Sequence, residues 1–185
     1  LYRADLMAGH GISPNAVAFT SDIFALAKRA YDDQRFDTAV NLARQAREYN
    51  DDSFEVLQLL AKSYVKSDLW NDAEQIIEEI ETRGHVKDAA FLRGFLLRNQ
   101  GRFSLALKEF LSAWQRGMNN VAVHREIAAA AFRDNKLDVA REHIAIAEQR
   151  VKDNPFIIDL QIQIAVALGD EKTARSRLKR LEIVD

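Results

Sequence analysis

Residues 54–84 read FEVLQLLAKSYVKSDLWNDAEQIIEEIETRG. Leu57, Leu60, Ala61 and Tyr64 stand at i, i+3, i+4 and i+7, which places them on one face of a helix. Ser67-Asp68 interrupts the pattern. Ala73, Ile77 and Ile80 resume it on a second helix, and Gly84 fits a left-handed C-cap. The stretch predicts a hairpin of two helices, each with an apolar face.

The same arrangement recurs. A cluster of polar, bulky apolar, polar, any residue and alanine occurs as Arg35-Phe36-Asp37-Thr38-Ala39, Arg102-Phe103-Ser104-Leu105-Ala106 and Lys136-Leu137-Asp138-Val139-Ala140. Leu69-Trp70-Asn71-Asp72-Ala73 begins on an apolar residue, and Asp170-Glu171-Lys172-Thr173-Ala174 is a degenerate copy. The five alanines lie 34, 33, 34 and 34 residues apart, the signature of a repeat architecture. The small residues have a mechanical role, because antiparallel helices approach closely only where side chains are small. Ala27, Ala61, Gly94 and Ala128 supply that spot on the first helix of a hairpin, and the five alanines on the second. Phe36, Trp70, Phe103 and Leu137 plug the space beside each turn. One hairpin cannot bury its apolar face alone, so successive hairpins must stack.

Composition agrees. Among 185 residues there are 27 alanines but only 7 glycines and 2 prolines, too few turn residues for a β-sandwich or barrel. Lys and Arg number 26 against 28 Asp and Glu, a net charge of -2 that argues against a nucleic-acid partner. Cysteine is absent, which excludes a disulfide framework, a thiolate zinc site and a cysteine nucleophile. Ile127–Phe132 and Leu160–Leu168 are the longest apolar candidates, and both fall short of the roughly 18 residues of a membrane span. The chain starts at Leu1 and ends on apolar Leu181, Ile183 and Val184, without the polar cap that finishes a repeat array. It therefore reads as an excised piece of a longer chain.

No catalytic constellation stands out. His10, His85, His124 and His143 do not pair with one another at metal-ligand spacing on a helix. Glu78, Glu79 and Glu81 read as solvated surface. Gly9-His10-Gly11 is too short for a phosphate loop, and no Gly-x-Ser-x-Gly elbow occurs. Neither an enzyme nor a bound metal or cofactor is expected.

Leu57-x2-Leu60-Ala61-x2-Tyr64 and Ala106-x3-Phe110 resemble the tetratricopeptide repeat (TPR) family, whose pattern is W-x2-L-G-x2-Y, A-x3-F and P in 34 residues. The departures are specific. The terminal proline is missing, with Pro155 a few residues beyond its slot. Arg93 fills a leucine slot. The fifth repeat has Ile162 at a small position and Glu171 at a bulky one. The resemblance implies an all-α, right-handed α-solenoid of about five hairpins, over residues 20–53, 54–86, 87–120, 121–154 and 155–185. Residues 1–19 form a separate N-terminal segment. There Leu1–Met7 reads as the tail of a preceding second helix. Ser13-Pro14 reads as a helix start, and that helix either runs into the first repeat or breaks near Thr20-Ser21-Asp22.

The resemblance also implies where a partner lies, because first helices line the concave face of such a stack. The inward slots of the second to fourth repeats hold five bases, Lys62, Lys66, Arg98, Arg125 and Arg133, against Glu55 and Asp88. They also hold Phe91, Phe95 and Phe132, expected to be partly exposed. In the fifth repeat the slots are Phe156, Asp159, Gln163, Val166 and Ala167. Aromatics beside arginines are strong contact chemistry. The expected role is a non-catalytic scaffold that holds an acidic protein or peptide segment with apolar anchors. Binders of the heat-shock chaperone carboxylate place Lys and Asn, then Asn, then bases in these slots. Here stand Phe24 and Lys28, then Lys62, then Phe91 and Phe95, so that ligand is not expected. The alternatives are a regulatory arm of a larger NTPase or response regulator, and a self-association module pairing through Leu178–Val184. An RNA-binding helical repeat would need a continuous basic lane.

Overall fold

The computed structural model describes residues 14–49 and 53–184, with side chains described over residues 22–49 and 53–183. Among them there are ten helices and no strand. They are α1 (Pro14–Asp32), α2 (Phe36–Tyr49), α3 (Phe54–Lys66), α4 (Trp70–Thr82), α5 (Val86–Asn99), α6 (Phe103–Gln115), α7 (Val121–Arg133), α8 (Leu137–Arg150), α9 (Pro155–Ala167) and α10 (Glu171–Val184). The expectations at Leu1–Met7 and His10 lie outside the described residues. The helix that opens at Pro14 runs to Asp32 without a break at Thr20-Ser21-Asp22.

Each hairpin turns in the same way. Gln34, Asp68, Gly101, Asn135 and Gly169 all have positive φ, from 58° to 75°. Just past each of them an N–H returns to a carbonyl five residues back. Arg35 donates to Ala30, Leu69 to Tyr64, Arg102 to Leu97, Lys136 to Ala131 and Asp170 to Ala165, all at 2.8–2.9 Å. These bonds satisfy carbonyls that the helix end leaves open. The turns therefore keep the same 34, 33, 34 and 34 spacing as the alanines. Between hairpins Gly84 adopts the left-handed conformation expected of it, with φ at 90°. Several first helices start on a polar cap: the Ser53, Asn120 and Asn154 side chains accept from the N–H of Val56, Val123 and Ile157.

The chain divides into two compact units, Leu1–Ile80 and Glu81–Asp185. In the first, α1 packs on α2, α2 on α3 and α1 on α3. Ile23, Ala46 and Val56 share a core cluster, flanked by Phe24, Leu42 and Tyr49. Ala27, Ala39, Ala43, Ala61 and Ala73 are fully buried, so the helices meet where only a methyl intervenes. Leu57, Leu60 and Ile77 are buried too, each contributing about 1.5–3 kcal/mol. Two cross-helix contacts complete the packing. Arg44 Nε donates to the Tyr64 hydroxyl at 2.7 Å, and Arg47 pairs with Glu79 at 2.8 Å.

In the second unit each helix from α5 to α10 packs on the next, and α7 also touches α9. Ala106, Phe110, Ala113, Ile127, Ala128, Ala140 and Ala147 are fully buried. Gly94 faces the Phe110 ring so closely that a Cβ there would lie 2.7 Å from two ring carbons. In the last hairpin Ala174 is only half-buried and Leu178 is 49% exposed. Its period equivalents Phe110 and Ile144 are buried, because a following helix covers them. Polar contacts hold α10 instead. The Glu148 carboxylate accepts from Gln161 at 2.8 Å and from Arg177 and Arg180.

The expectation that Glu78, Glu79 and Glu81 are merely solvated needs correction. Glu78 is exposed, but Glu79 pairs with Arg47 and Glu81 with Arg93 at 2.9 Å. Packed helices bring those arginines within reach, which spacing along one helix does not reveal.

Candidate functional site

The eight residues expected to bind a partner divide between the units. Lys62 and Lys66 lie in the first, both half-buried on α3. Lys66 borders an open depression of about 440 Å³ with Gln34, Phe36, Asp37 and Asp68. The other six lie in the second unit, on α5 and α7.

Those six differ in what they offer. Phe91 is half-buried with its ring 5.5 Å from that of Phe110, so it packs on the hairpin core. Phe95 was expected to be partly exposed and is buried, at 9%. It lies one residue from buried Leu96, and the Arg98 guanidinium covers its ring at 5.1 Å. Phe132 is half-buried. Arg133 is exposed, with its guanidinium 5.2 Å from the ring of Phe103.

Arg98 and Arg125 come together through a residue that the sequence reading missed. Glu126 is 5% exposed, and its carboxylate lies 3.2 Å from Arg98 Nε and 3.2 Å from Arg125 Nη2. One buried acid thus holds two arginines, one on each oxygen. The sequence does carry a signal for it. In the second, third and fifth repeats the period equivalents of Glu126 are Leu59, Leu92 and Leu160, all buried. A carboxylate in a leucine column must be paired to be tolerated. A second addition is Phe156 at the start of α9. It is 74% exposed, and the Arg125 guanidinium lies 5.8 Å from its ring centre. Arg98, Glu126, Arg125 and Phe156 thus join α5, α7 and α9 in one continuous surface. Val166, on the same helix as Phe156, is 65% exposed.

Another cluster joins two histidines that looked isolated in sequence. His124 Nδ1 and His143 Nδ1 are 2.9 Å apart, and both side chains are buried. Their ring centres are 5.1 Å apart, so the two nitrogens lie almost on the line between the rings. That alignment is a hydrogen bond and leaves no gap for an ion. His124 Nε2 is 2.9 Å from Asn119 Oδ1, which also accepts from Arg150. An amide oxygen only accepts, so His124 carries its proton on Nε2 and His143 donates from Nδ1. The Trp114 ring packs edge-on against His143. Burial lowers the affinity of both imidazoles for a further proton, and each has a neighbour acting on it. His143 and Arg150 add to the effect at His124, while Glu142 opposes it at His143. Among the described residues no group of three or more His, Asp or Glu side chains is placed to hold a metal. No described helix is long and apolar enough to cross a membrane.

The tetratricopeptide repeat family model matches residues 30–90. Those residues carry tetratricopeptide repeats. Solved TPR structures extend the fold over most of the chain. A thermophilic TPR protein of Thermus thermophilus is similar at a TM-score of 0.69 and 18% identity, over 88% of this chain and 89% of its own. PilW, a type IV pilus biogenesis factor, is similar at 0.74 and 18% identity, over 89% of this chain and 77% of its own. YrrB, a TPR protein with an unusual peptide-binding site, gives 0.61 at 14% identity, over 88% and 84%. No curated protein matches this chain.

Proposed function

We propose that this TPR chain is a non-catalytic interaction scaffold, and that it holds an acidic segment with apolar anchors on the surface shared by α5, α7 and α9. The observation that carries the reading is the exposed Phe156 beside the paired Arg98 and Arg125. An exposed aromatic supplies contact area, and arginines supply directional, charge-assisted bonds. Phe156 takes the anchor role expected of Phe95, which is already packed away. Arg133 adds positive charge farther along α7. YrrB, a TPR protein with an unusual peptide-binding site, is a precedent within the same fold.

The test is affinity capture with the 185-residue chain against a Phe156→Ser, Arg133→Glu variant whose circular dichroism is unchanged. Both side chains are exposed, so the variant keeps the fold. Loss of most of the captured protein supports the reading; equal capture by both removes it.

A second reading, self-association, is favoured by one observation. Leu178 is 49% exposed on α10, in a register that the other second helices bury, and Ile183 on the same helix is 84% exposed. Light scattering from micromolar to millimolar concentration decides. Growth in mass that Leu178→Glu abolishes supports end-to-end pairing, and a constant monomer excludes it.

A further inference from the structure

We infer that Glu126 arranges Arg98 and Arg125 into a clamp for a single carboxylate, and that the clamp reads an acidic residue next to a bulky apolar one seated on Phe156. This deepens the groove reading above and rests on it.

Three observations lead there. First, both guanidiniums are fixed from two sides. Arg98 lies over Phe95 and Arg125 over Phe156, while one buried carboxylate touches both. Arginines held in this way lose less freedom when they grip a ligand. Second, they retain bonding capacity. Their side chains are 30% and 42% exposed, although Arg98 Nε itself is buried against Glu126 Oε2. Third, the charges select the ligand. Two guanidiniums against one carboxylate leave one positive charge, which matches a carboxylate. A phosphate dianion would face the buried Glu126 with a negative charge uncompensated. The acid one turn beyond Phe156 does not compete for the arginines, because Asp159 accepts from Gln163 at 2.7 Å.

The test uses the 185-residue chain and three N-acetylated tetrapeptide amides. One carries phenylalanine followed by glutamate, the second glutamine in place of the glutamate, and the third phosphoserine. The arginine Nε–H resonances are followed by nitrogen-edited NMR. The glutamate peptide is expected to shift Arg98 and Arg125 saturably and to bind roughly tenfold more tightly than the glutamine peptide. Arg125→Lys keeps the charge but loses the fork and the stack, and weakens the glutamate peptide about fivefold. Glu126→Gln keeps the shape and removes the negative charge. It is expected to raise the ratio of phosphoserine to glutamate binding roughly tenfold. The amide spectrum of each variant verifies its fold.

Equal binding of the glutamate and glutamine peptides overturns the clamp while leaving the groove standing. So does a wild-type preference for phosphoserine, or a ratio unmoved by Glu126→Gln. If no peptide shifts any resonance of α5, α7 or α9, the groove reading falls with it.

Discussion

Gly94 lies against the Phe110 ring in the α5–α6 hairpin, where an added Cβ would meet two ring carbons at 2.7 Å. Phe110 is fully buried, so its ring has nowhere to move if a methyl arrives at Gly94. Alanine would gain about 1 kcal/mol of helix propensity. Overpacking costs about 1–3 kcal/mol. Gly94→Ala is therefore expected to lose about 1 kcal/mol net by urea denaturation. In a Phe110→Leu background, where the ring is gone, the same change should be neutral or stabilising. A stable Gly94→Ala in the wild-type background would show that the ring can yield. Gln34 is the opposite case. It holds a φ of 60° that favours glycine, at a turn position filled elsewhere by Asp68, Gly101, Asn135 and Gly169. A left-handed residue costs roughly 1–2 kcal/mol, part of which glycine returns as unfolded-state entropy. Gln34→Gly should raise stability by about 0.5 kcal/mol, read as a higher thermal midpoint. The alanine period was legible because close helix contact admits few alternatives. The left-handed role of Gln34 was not, since glutamine is no marker of that conformation. It follows from the bond of Arg35 to Ala30, which only the folded turn reveals.

Between elements, the pairing of α7 with α8 decides what the histidines do. His124 and His143 are 19 residues apart, and no spacing rule along one helix joins them. The sequence still offered a hint, since the period equivalents of His124 are Ile23, Leu57, Ala90 and Ile158. Glu126 was hidden for the same reason. Its arginine partners are visible in sequence, but the contact exists only when α5 lies beside α7. Phe95 was misjudged in the other direction, as its inward slot was legible but not the guanidinium lying over it. The histidine pair sets a pH dependence. Each imidazole binds a proton less readily in the folded chain than in the unfolded one, so acid favours unfolding. Their contribution is fully present above the ordinary imidazole range and falls as pH drops below about 6.5. Arg150 and Asn119 face His124, Glu142 acts on His143, and none of them removes this direction. The thermal midpoint is expected to fall between pH 7.5 and 5.5. His124→Ile, His143→Leu fills the pair's position with apolar side chains, isoleucine being the commonest residue at the period equivalents of His124. That variant should flatten the fall, while Asn119 Oδ1 still accepts from Arg150. An unchanged slope would mean that other groups control the acid response.

Across the whole molecule, repeats contribute stability through their own helices and through contact with immediate neighbours. A hairpin covered on one side only is then held less firmly than one covered on both. Among the described residues the α9–α10 hairpin is such a case. Ala174 is half-buried where Ala39, Ala73, Ala106 and Ala140 are fully buried, and Leu178 is half in solvent. What replaces apolar burial is Glu148, which ties α8 to Gln161 on α9 and to Arg177 and Arg180 on α10. Burial works to raise the proton affinity of this carboxyl. The Gln161 hydrogen bond and the two arginines outweigh it, so the group stays below the ordinary carboxylate range. A carboxyl depressed in this way adds stability that is present above its unfolded value and is lost as pH falls through the folded one. Near neutral pH the tie is intact. Hydrogen exchange should therefore find the amides of α10 opening before those of α6 and α8, each of which lies between two packed helices. Glu148→Gln removes the charge that both arginines share. It is expected to speed exchange in α10 about tenfold while leaving Ala106–Ala113 on α6 unchanged. A uniform acceleration from α5 to α10 would mean that the second unit unfolds as one cooperative block. No change anywhere would mean that apolar contact between α9 and α10 suffices without the carboxylate.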